Sequence, residues 1–327
     1  MRTLPTFALA VFLSLAFSTP HSSAQSNPDK ITIGTISLSL NNLPIYVAQE
    51  KGFFAKENIF VEAVLLGAST RAIPALIGGS TQVSASSAMT TIRAIDKGAG
   101  LKIVGGVINA PVYDLIASAK YKSMKDLKGT TIGVTGLITS DTVLMKEMLK
   151  ANGLEYPRDY GMIVIGGTAE RWLAVQNGNI SAAILSPPFT FAAEDAGYAN
   201  LGSTAKYTPE FTQTVFNVRS DWAQEKRPLL VRFLRAIVRG EQWSHAQKED
   251  TVRIIAKRLK FSDKFSEASW RYFVASNTIP KDGDINPKGI EKVFQLLVEE
   301  GAMKPPLPRQ DKYIDTSYLD EARRTLH

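Results

Sequence analysis

From residue 31 onward, short β-branched runs alternate with stretches of helical period. Ile31–Ile36 reads as a strand and Leu43–Lys51 as a helix. Val61–Leu66 is the next strand, Thr70–Ile77 a helix, Val83–Ala85 a strand, Thr90–Lys97 a helix and Leu101–Val107 a strand. Val112–Ala117 is a further strand, and Ser123 to Asp126 has the spacing of a capping box. A second series follows: strand Thr131–Val134, helix Asp141–Leu149, strand Met162–Ile165, helix Ala169–Gln176, strand Ile180–Leu185 and a returning strand Thr214–Val218. Such alternation predicts an α/β fold with mostly parallel sheets flanked by helices.

The remainder is helical in pattern. Leu230, Phe233, Leu234, Ile237 and Val238 form one apolar stripe; Val252, Ile255, Ala256 and Leu259 form a second. Ile290, Val293, Phe294, Leu297 and Val298 form a third, with Asn286 as its cap, Pro287 at its first position and Gly301 past its end. Arg232, Arg235 and Arg239 share the polar side of the first stripe and read as a solvated face.

Residues 67–87 set against 167–187 match at Gly67/Gly167, Arg71/Arg171, Gly78/Gly178 and Ser86/Ser186, and the order of elements matches too. Two similar β/α units predict two lobes with a cleft between them, faced by strand ends and helix N-termini. The expected division is 30–115 with 215–327 as one lobe carrying a helical tail, and 116–214 as the other.

Composition sharpens this picture. The 327 residues are 44% hydrophobic and 21% charged, an ordinary globular balance. Arg2, the apolar run Phe7–Phe17 and the small residues Ser22-Ser23-Ala24 have the form of a secretory signal, so residues 1–24 are expected to be cleaved and the protein exported to a periplasm. There are no cysteines and three histidines, His21, His245 and His327, which excludes thiolate catalysis and cysteine-held metals. The net charge of +7 gives a mild bias toward anions without the clustering that nucleic-acid binding needs.

Specific residues carry a resemblance. Leu43-Pro44-Ile45-Tyr46-Val47-Ala48-Gln49-Glu50-Lys51-Gly52-Phe53-Phe54 leads through Glu57 and Ile59 to Val61-Glu62, then Gly67 and Ala75-Leu76-Ile77-Gly78. Asp126-Leu127-Lys128-Gly129, Ile132-Gly133-Val134, Gly166-Gly167-Thr168, Arg171, Asn177-Gly178 and Ser186-Pro187-Pro188 follow. In this order they resemble the periplasmic solute-binding proteins of ABC importers, in the nitrate/sulfonate/taurine and thiamine-pyrimidine group. The sequence departs from that pattern at Gly79-Ser80-Thr81-Gln82, where the group often has an acidic residue. The resemblance implies a two-lobe periplasmic-binding-protein fold (type II), closure about a small-molecule ligand and an inner-membrane permease as partner. A monomer with no cofactor and no metal is expected.

Candidate ligand contacts lie after strands and at helix starts. Ser39, Asn41 and Asn42 precede a helix, where amides can hold an anion, although Asn42 also suits plain capping. Ser69 and Thr70 precede Arg71, a cation in a first turn that opposes the helix dipole and so invites an anion, a carboxylate partner or exposure. Ser86 and Ser87 end a strand. Gly136, Thr139 and Ser140 form a turn into a helix, with Asp141 as a counter-indication to a strong anion. Thr168, Ser186 and Pro187 follow strands of the second unit, and Tyr113 is placed near a hinge. Phe189 suits the core; Tyr46 and Trp172 are weaker aromatic candidates. Arg171 has Glu170 beside it as a ready partner. The ligand expected is a small, anionic organic solute, a sulfonate or carboxylate.

The rival class is an enzyme on the same fold, such as a desulfinase, decarboxylase or pyrimidine synthase. The first needs a nucleophilic cysteine and the last a His- and Cys-rich site with a pyridoxal group; no Ser–His–Asp or His–metal constellation can be assembled from the three histidines, and no spacing suggests a Ser–Lys or carboxylate-pair site.

Overall fold

A computed structural model describes residues 27–326; the expected signal at 1–24 lies outside them. The described residues form two five-stranded sheets. The first contains β1 (Asp29–Thr35), β2 (Ile59–Leu65), β3 (Val83–Ser87), β4 (Leu101–Ile108) and β10 (Thr214–Arg219), in the order β2-β1-β3-β10-β4. The second contains β5 (Asp114–Ala117), β6 (Thr131–Val134), β7 (Gly161–Val164), β8 (Ala182–Leu185) and β9 (Ala199–Ser203), in the order β7-β6-β8-β5-β9. The chain thus changes sheets twice, at 109–113 and 204–213.

Both sheets are mixed. β1 is parallel to β2 and β3, while β10 runs antiparallel to β3 and β4. β6 is parallel to β7 and β8, while β5 runs antiparallel to β8 and β9. Each antiparallel arrangement involves a strand adjoining a crossover, because a chain arriving from the other lobe can enter from the opposite end.

Helices α1 (Leu43–Glu50), α2 (Phe53–Lys56), α3 (Ser69–Ile77) and α4 (Ala88–Asp96) belong with the first sheet; α5 (Ser140–Ala151), α6 (Thr168–Gln176) and α7 (Phe189–Asp195) belong with the second. The tail comprises α8 (Ser220–Glu225), α9 (Arg227–Ala246), α10 (Lys248–Leu259), α11 (Asp263–Trp270) with a π turn at Arg271–Ala275, α12 (Pro287–Glu299) and α13 (Ser317–Arg324). The stripe of α9 is fully buried at Leu230, Phe233, Leu234, Ile237 and Val238, stacking Phe233 on Phe54 at 5.6 Å. Gly240 lets α9 meet α1, since a Cβ there would lie 2.7 Å from the Pro44 carbonyl oxygen. Among the described residues, no helix is long and apolar enough to cross a membrane.

The Arg face of α9 is a tether rather than the solvated face expected. Arg235 holds Glu57 through both oxygens at 2.9 and 2.7 Å, Arg239 adds a third bond at 2.5 Å, and Arg232 bonds Asp29. Arg235 and Arg239 also bond the carbonyls of Thr325 and Leu326. Glu57 is buried because it follows α2, which packs beneath α9, and two guanidinium groups compensate the desolvation of its carboxylate.

Candidate functional site

Where the lobes meet, the ends of β1, β3 and β6, the starts of α3, α5 and α6 and the two crossovers converge on a buried cavity. It is lined by Ile36, Ser37, Ser69 and Ser87 from the first lobe and by Thr135, Thr139, Asp141, Gly167, Thr168 and Arg171 from the second. Tyr113 and Gln213 enter from the crossovers. The free volume is about 10 Å³, room for roughly one water.

A chain of hydroxyls crosses the cleft. Ser87 N–H donates to Ser69 Oγ at 3.0 Å, and Ser87 Oγ lies 2.5 Å from Ser140 Oγ of the opposite lobe. The same Ser87 Oγ accepts from Thr90 N–H and caps α4, so one side chain serves both helix and interface. Thr139 donates to the Gly136 carbonyl at 2.9 Å. Gly136 itself faces Thr70, 3.7 Å from the position its Cβ would take.

Arg171 is the charged centre of this region. Only 1% exposed, it donates from Nε to the Ile184 carbonyl at 2.9 Å, from Nη1 to the Gly166 carbonyl at 2.6 Å and to Thr135 Oγ1, and from Nη2 to Thr168 Oγ1 at 3.4 Å. Its ionic partner is Asp141 at 3.7 Å, which also accepts from Thr135. The expected pairing with Glu170 is therefore replaced: Arg171 points inward, and the carboxylate that meets it comes from the start of α5. Burying an ion pair costs desolvation, and removing one partner of such a pair costs about 3–5 kcal/mol. Burial and the neighbouring Asp141 push the Tyr113 hydroxyl far above its ordinary range, so it stays protonated as a donor.

Of the fifteen candidate residues, Ser69, Ser87, Tyr113, Thr139 and Thr168 line this cavity. Ser140 borders it through Ser87, and Gly136 and Thr70 flank it across the interface. Ser39 supports Ser37 through a 2.7 Å hydroxyl contact, and Asn41 bonds the Tyr113 side chain. Asn42 does not cap α1: it donates to the Ser37 carbonyl at 2.6 Å and to Tyr46 Oη at 3.1 Å, fixing the loop that carries Ser37. Ser86 accepts from Asn217 at 2.8 Å inside the first sheet, away from the cavity lining, and Ser186 and Pro187, just past β8, are buried outside that lining.

Arg71 lies elsewhere: it is exposed and folds back over Gly67, outside the cavity lining. Trp172 packs edge-on against Tyr198 at 4.7 Å, Tyr46 is held by Asn42, and Phe189 packs edge-on against Phe261 at 4.9 Å. Ser37, Thr135 and Gln213 were not among the candidates. Ser37 and Thr135 lie just past a strand end and Gln213 just ahead of β10, the positional signal that marked Ser69 and Thr168, but none stands at a helix start.

Two α/β lobes joined by two crossovers over a buried polar cleft make up the periplasmic-binding-protein fold. Among solved structures, the periplasmic aliphatic sulphonate binding protein SsuA from Escherichia coli has a TM-score of 0.66 at 18% identity, covering 89% of this chain and 99% of that one. The periplasmic nitrate-binding protein NrtA from Synechocystis PCC 6803 has a TM-score of 0.72 at 15% identity, covering 92% and 89%. The chain belongs to the NMT1/THI5-like family, which it matches over residues 39–251. It is similar to a formylaminopyrimidine-binding protein of Halalkalibacterium halodurans, 24% identical over 251 residues, 71% of this chain and 74% of the relative. It is also similar to a 4-amino-5-hydroxymethyl-2-methylpyrimidine phosphate synthase of Uromyces fabae, 31% identical over 147 residues, which are 44% of this chain and 41% of that enzyme.

Proposed function

We propose that this protein is the exported solute-binding component of an ABC importer, capturing a small organic solute between its lobes and delivering it to a membrane permease. The single observation that carries this reading is the buried cleft lined by polar side chains from both lobes and both crossovers. Such a site is complete only when the lobes meet, so a ligand that touches both stabilises the closed arrangement. Residues 30–115 with 215–327 form one moving body in this reading and 116–214 the other. Ser69, Ser87, Tyr113, Thr139, Thr168 and Arg171 surround the ligand. The signal-like residues 1–24 support delivery to the periplasm, where a monomer would shuttle between solute and permease.

An enzyme on this fold is the second reading, favoured by the likeness to a pyrimidine phosphate synthase. The chemistry present argues for binding: the chain has no cysteine, and the His245 ring is tied to the Ile279 carbonyl at 3.1 Å, on the helical tail. A thermal-shift screen of sulfonates, carboxylates, nitrate and pyrimidines against the purified protein tests the proposal, followed by scattering with each hit. Stabilisation with a smaller radius of gyration and an unchanged solute supports capture. Chemical conversion of any hit would decide for the enzyme.

A further inference from the structure

We propose that the cleft selects a solute without net negative charge, one that presents N–H donors to Asp141 and Gln213, rather than the anion expected from the sequence. The proposal rests on the capture reading and concerns the charge class of what is captured.

The charged residues lining the cavity, among those described, are Asp141 and Arg171. They oppose each other at 3.7 Å, so the cavity carries no net charge from its lining. Nor has Arg171 much left to give. Its Nε and Nη1 donors end on the carbonyls of Ile184 and Gly166 and on Thr135, and its Nη2 on Thr168. An incoming anion would meet a guanidinium already balanced and bonded, and would lie beside the Asp141 carboxylate in a region of low dielectric.

What the cavity lacks is donors from a ligand. Gln213 Oε1 is buried, belongs to a lining residue and has no hydrogen-bond partner among the described residues. An unpartnered buried acceptor costs about 1–3 kcal/mol, which a ligand N–H recovers on binding. The lining hydroxyls are largely engaged already: Ser87 with Ser69 and Ser140, Thr135 with Asp141, Thr139 with the Gly136 carbonyl. Among the described lining side chains, Gln213 Oε1 is thus the buried polar atom left for a solute to satisfy. The sequence placed a cation for an anion at Arg71, and that side chain lies outside the cavity.

The test compares N–H donors with acids on the purified protein. Cytosine (neutral) and benzamidine (cationic) are titrated calorimetrically against nitrate, taurine and benzoate, with wild type and with Asp141→Asn. The substitution keeps an oxygen for Thr135 and removes the charge, leaving Arg171 unbalanced. Wild type should bind a donor probe at least tenfold more tightly than any acid; Asp141→Asn should lose tenfold or more for that probe and gain affinity for an acid. Wild-type preference for nitrate, taurine or benzoate overturns the proposal, as does a donor preference that Asp141→Asn leaves unchanged. Gln213→Leu, which leaves the ion pair intact, provides a second arm: it should weaken the donor probe without lowering the melting temperature, and unchanged affinity there counts against the role of Gln213. Conversion of a probe into a product would instead remove the capture reading on which the proposal stands.

Discussion

Glu241 sits in the middle of α9 with no exposed surface, beside the turn that carries Asp282, Gly283 and Asp284. Burial pushes its carboxyl well above the ordinary glutamate range; the two aspartates add to this, while the Gly283 backbone and Arg323 offset part of it. A carboxyl whose folded pKa is raised favours the native state at low pH, and that contribution is lost as pH rises from the ordinary range through the folded value. Glu241→Gln should therefore raise the melting temperature at pH 8 by about 2–4 °C for each kcal/mol recovered, with the gain fading toward pH 4.5. Differential scanning calorimetry at both pH values checks this; equal gains at both would place the effect in packing rather than ionisation. Arg171 shows the same scale at work in the cleft: one inward side chain organises four carbonyl or hydroxyl partners and a carboxylate, while Arg71, at the matching step of the first unit, folds over its own Gly67.

At the scale of elements, α12 is held by its first residues. Asn286 Oδ1 accepts from the amides of Lys288 and Gly289 at 3.1 and 3.2 Å, and Gly289 lets the helix approach the second crossover, where a Cβ would lie 2.6 Å from the Thr212 nitrogen. Asn286→Ala should cost about 1 kcal/mol, read as a lower urea midpoint with an unchanged slope. A changed slope would mean that the crossover, and not the cap alone, had loosened. The cap, the Pro287 start and the Ser123 capping box were all legible in local sequence, because each depends on contacts within four residues. The elements that the hydrophobic pattern left out, β9, α7, α8, α11 and α13 among them, are short or polar on most faces and gain their order from neighbours. α11 is an example: Phe265 packs on Phe261, which packs on Phe189 of the second lobe. The mostly parallel sheets expected are present, with one reversed strand in each that the local pattern did not mark. Hydrophobic runs reveal burial, and only the crossovers decide that β5 and β10 enter their sheets reversed.

For the molecule as a whole, the lobes meet at more than the cleft. Val143 and Leu144 of α5 join the apolar cluster built by α3, α4 and α12 of the other lobe. Glu300, just past α12, takes Arg93 of its own lobe on one oxygen and Lys146 of the opposite lobe on the other. Lys146→Ala removes the bridge between lobes and leaves the Arg93 pair. An ion pair of this partly exposed kind is worth about 1 kcal/mol or less, so ligand affinity should fall by about fivefold or less and the mean radius of gyration in scattering should rise. Unchanged affinity and radius would make Lys146 a surface contact without influence on closure.

The sequence alone determined the α/β character, the repeated unit and the stretch of helices that follows it. These depend on periodicity, caps and apolar stripes, which are local and survive translation into three dimensions. It also pointed to strand ends and helix starts as the place for a ligand, and four of those residues, Ser69, Ser87, Thr139 and Thr168, do line the cleft, with the hinge-side Tyr113 beside them. Tertiary structure decided which of two equivalent arginines turns inward, that Asp141 rather than Glu170 receives it, and that Gln213 reaches the cavity from a crossover. The reason is physical. A charge is buried only where partners from distant segments compensate its desolvation, and no spacing along the chain records which segments those are.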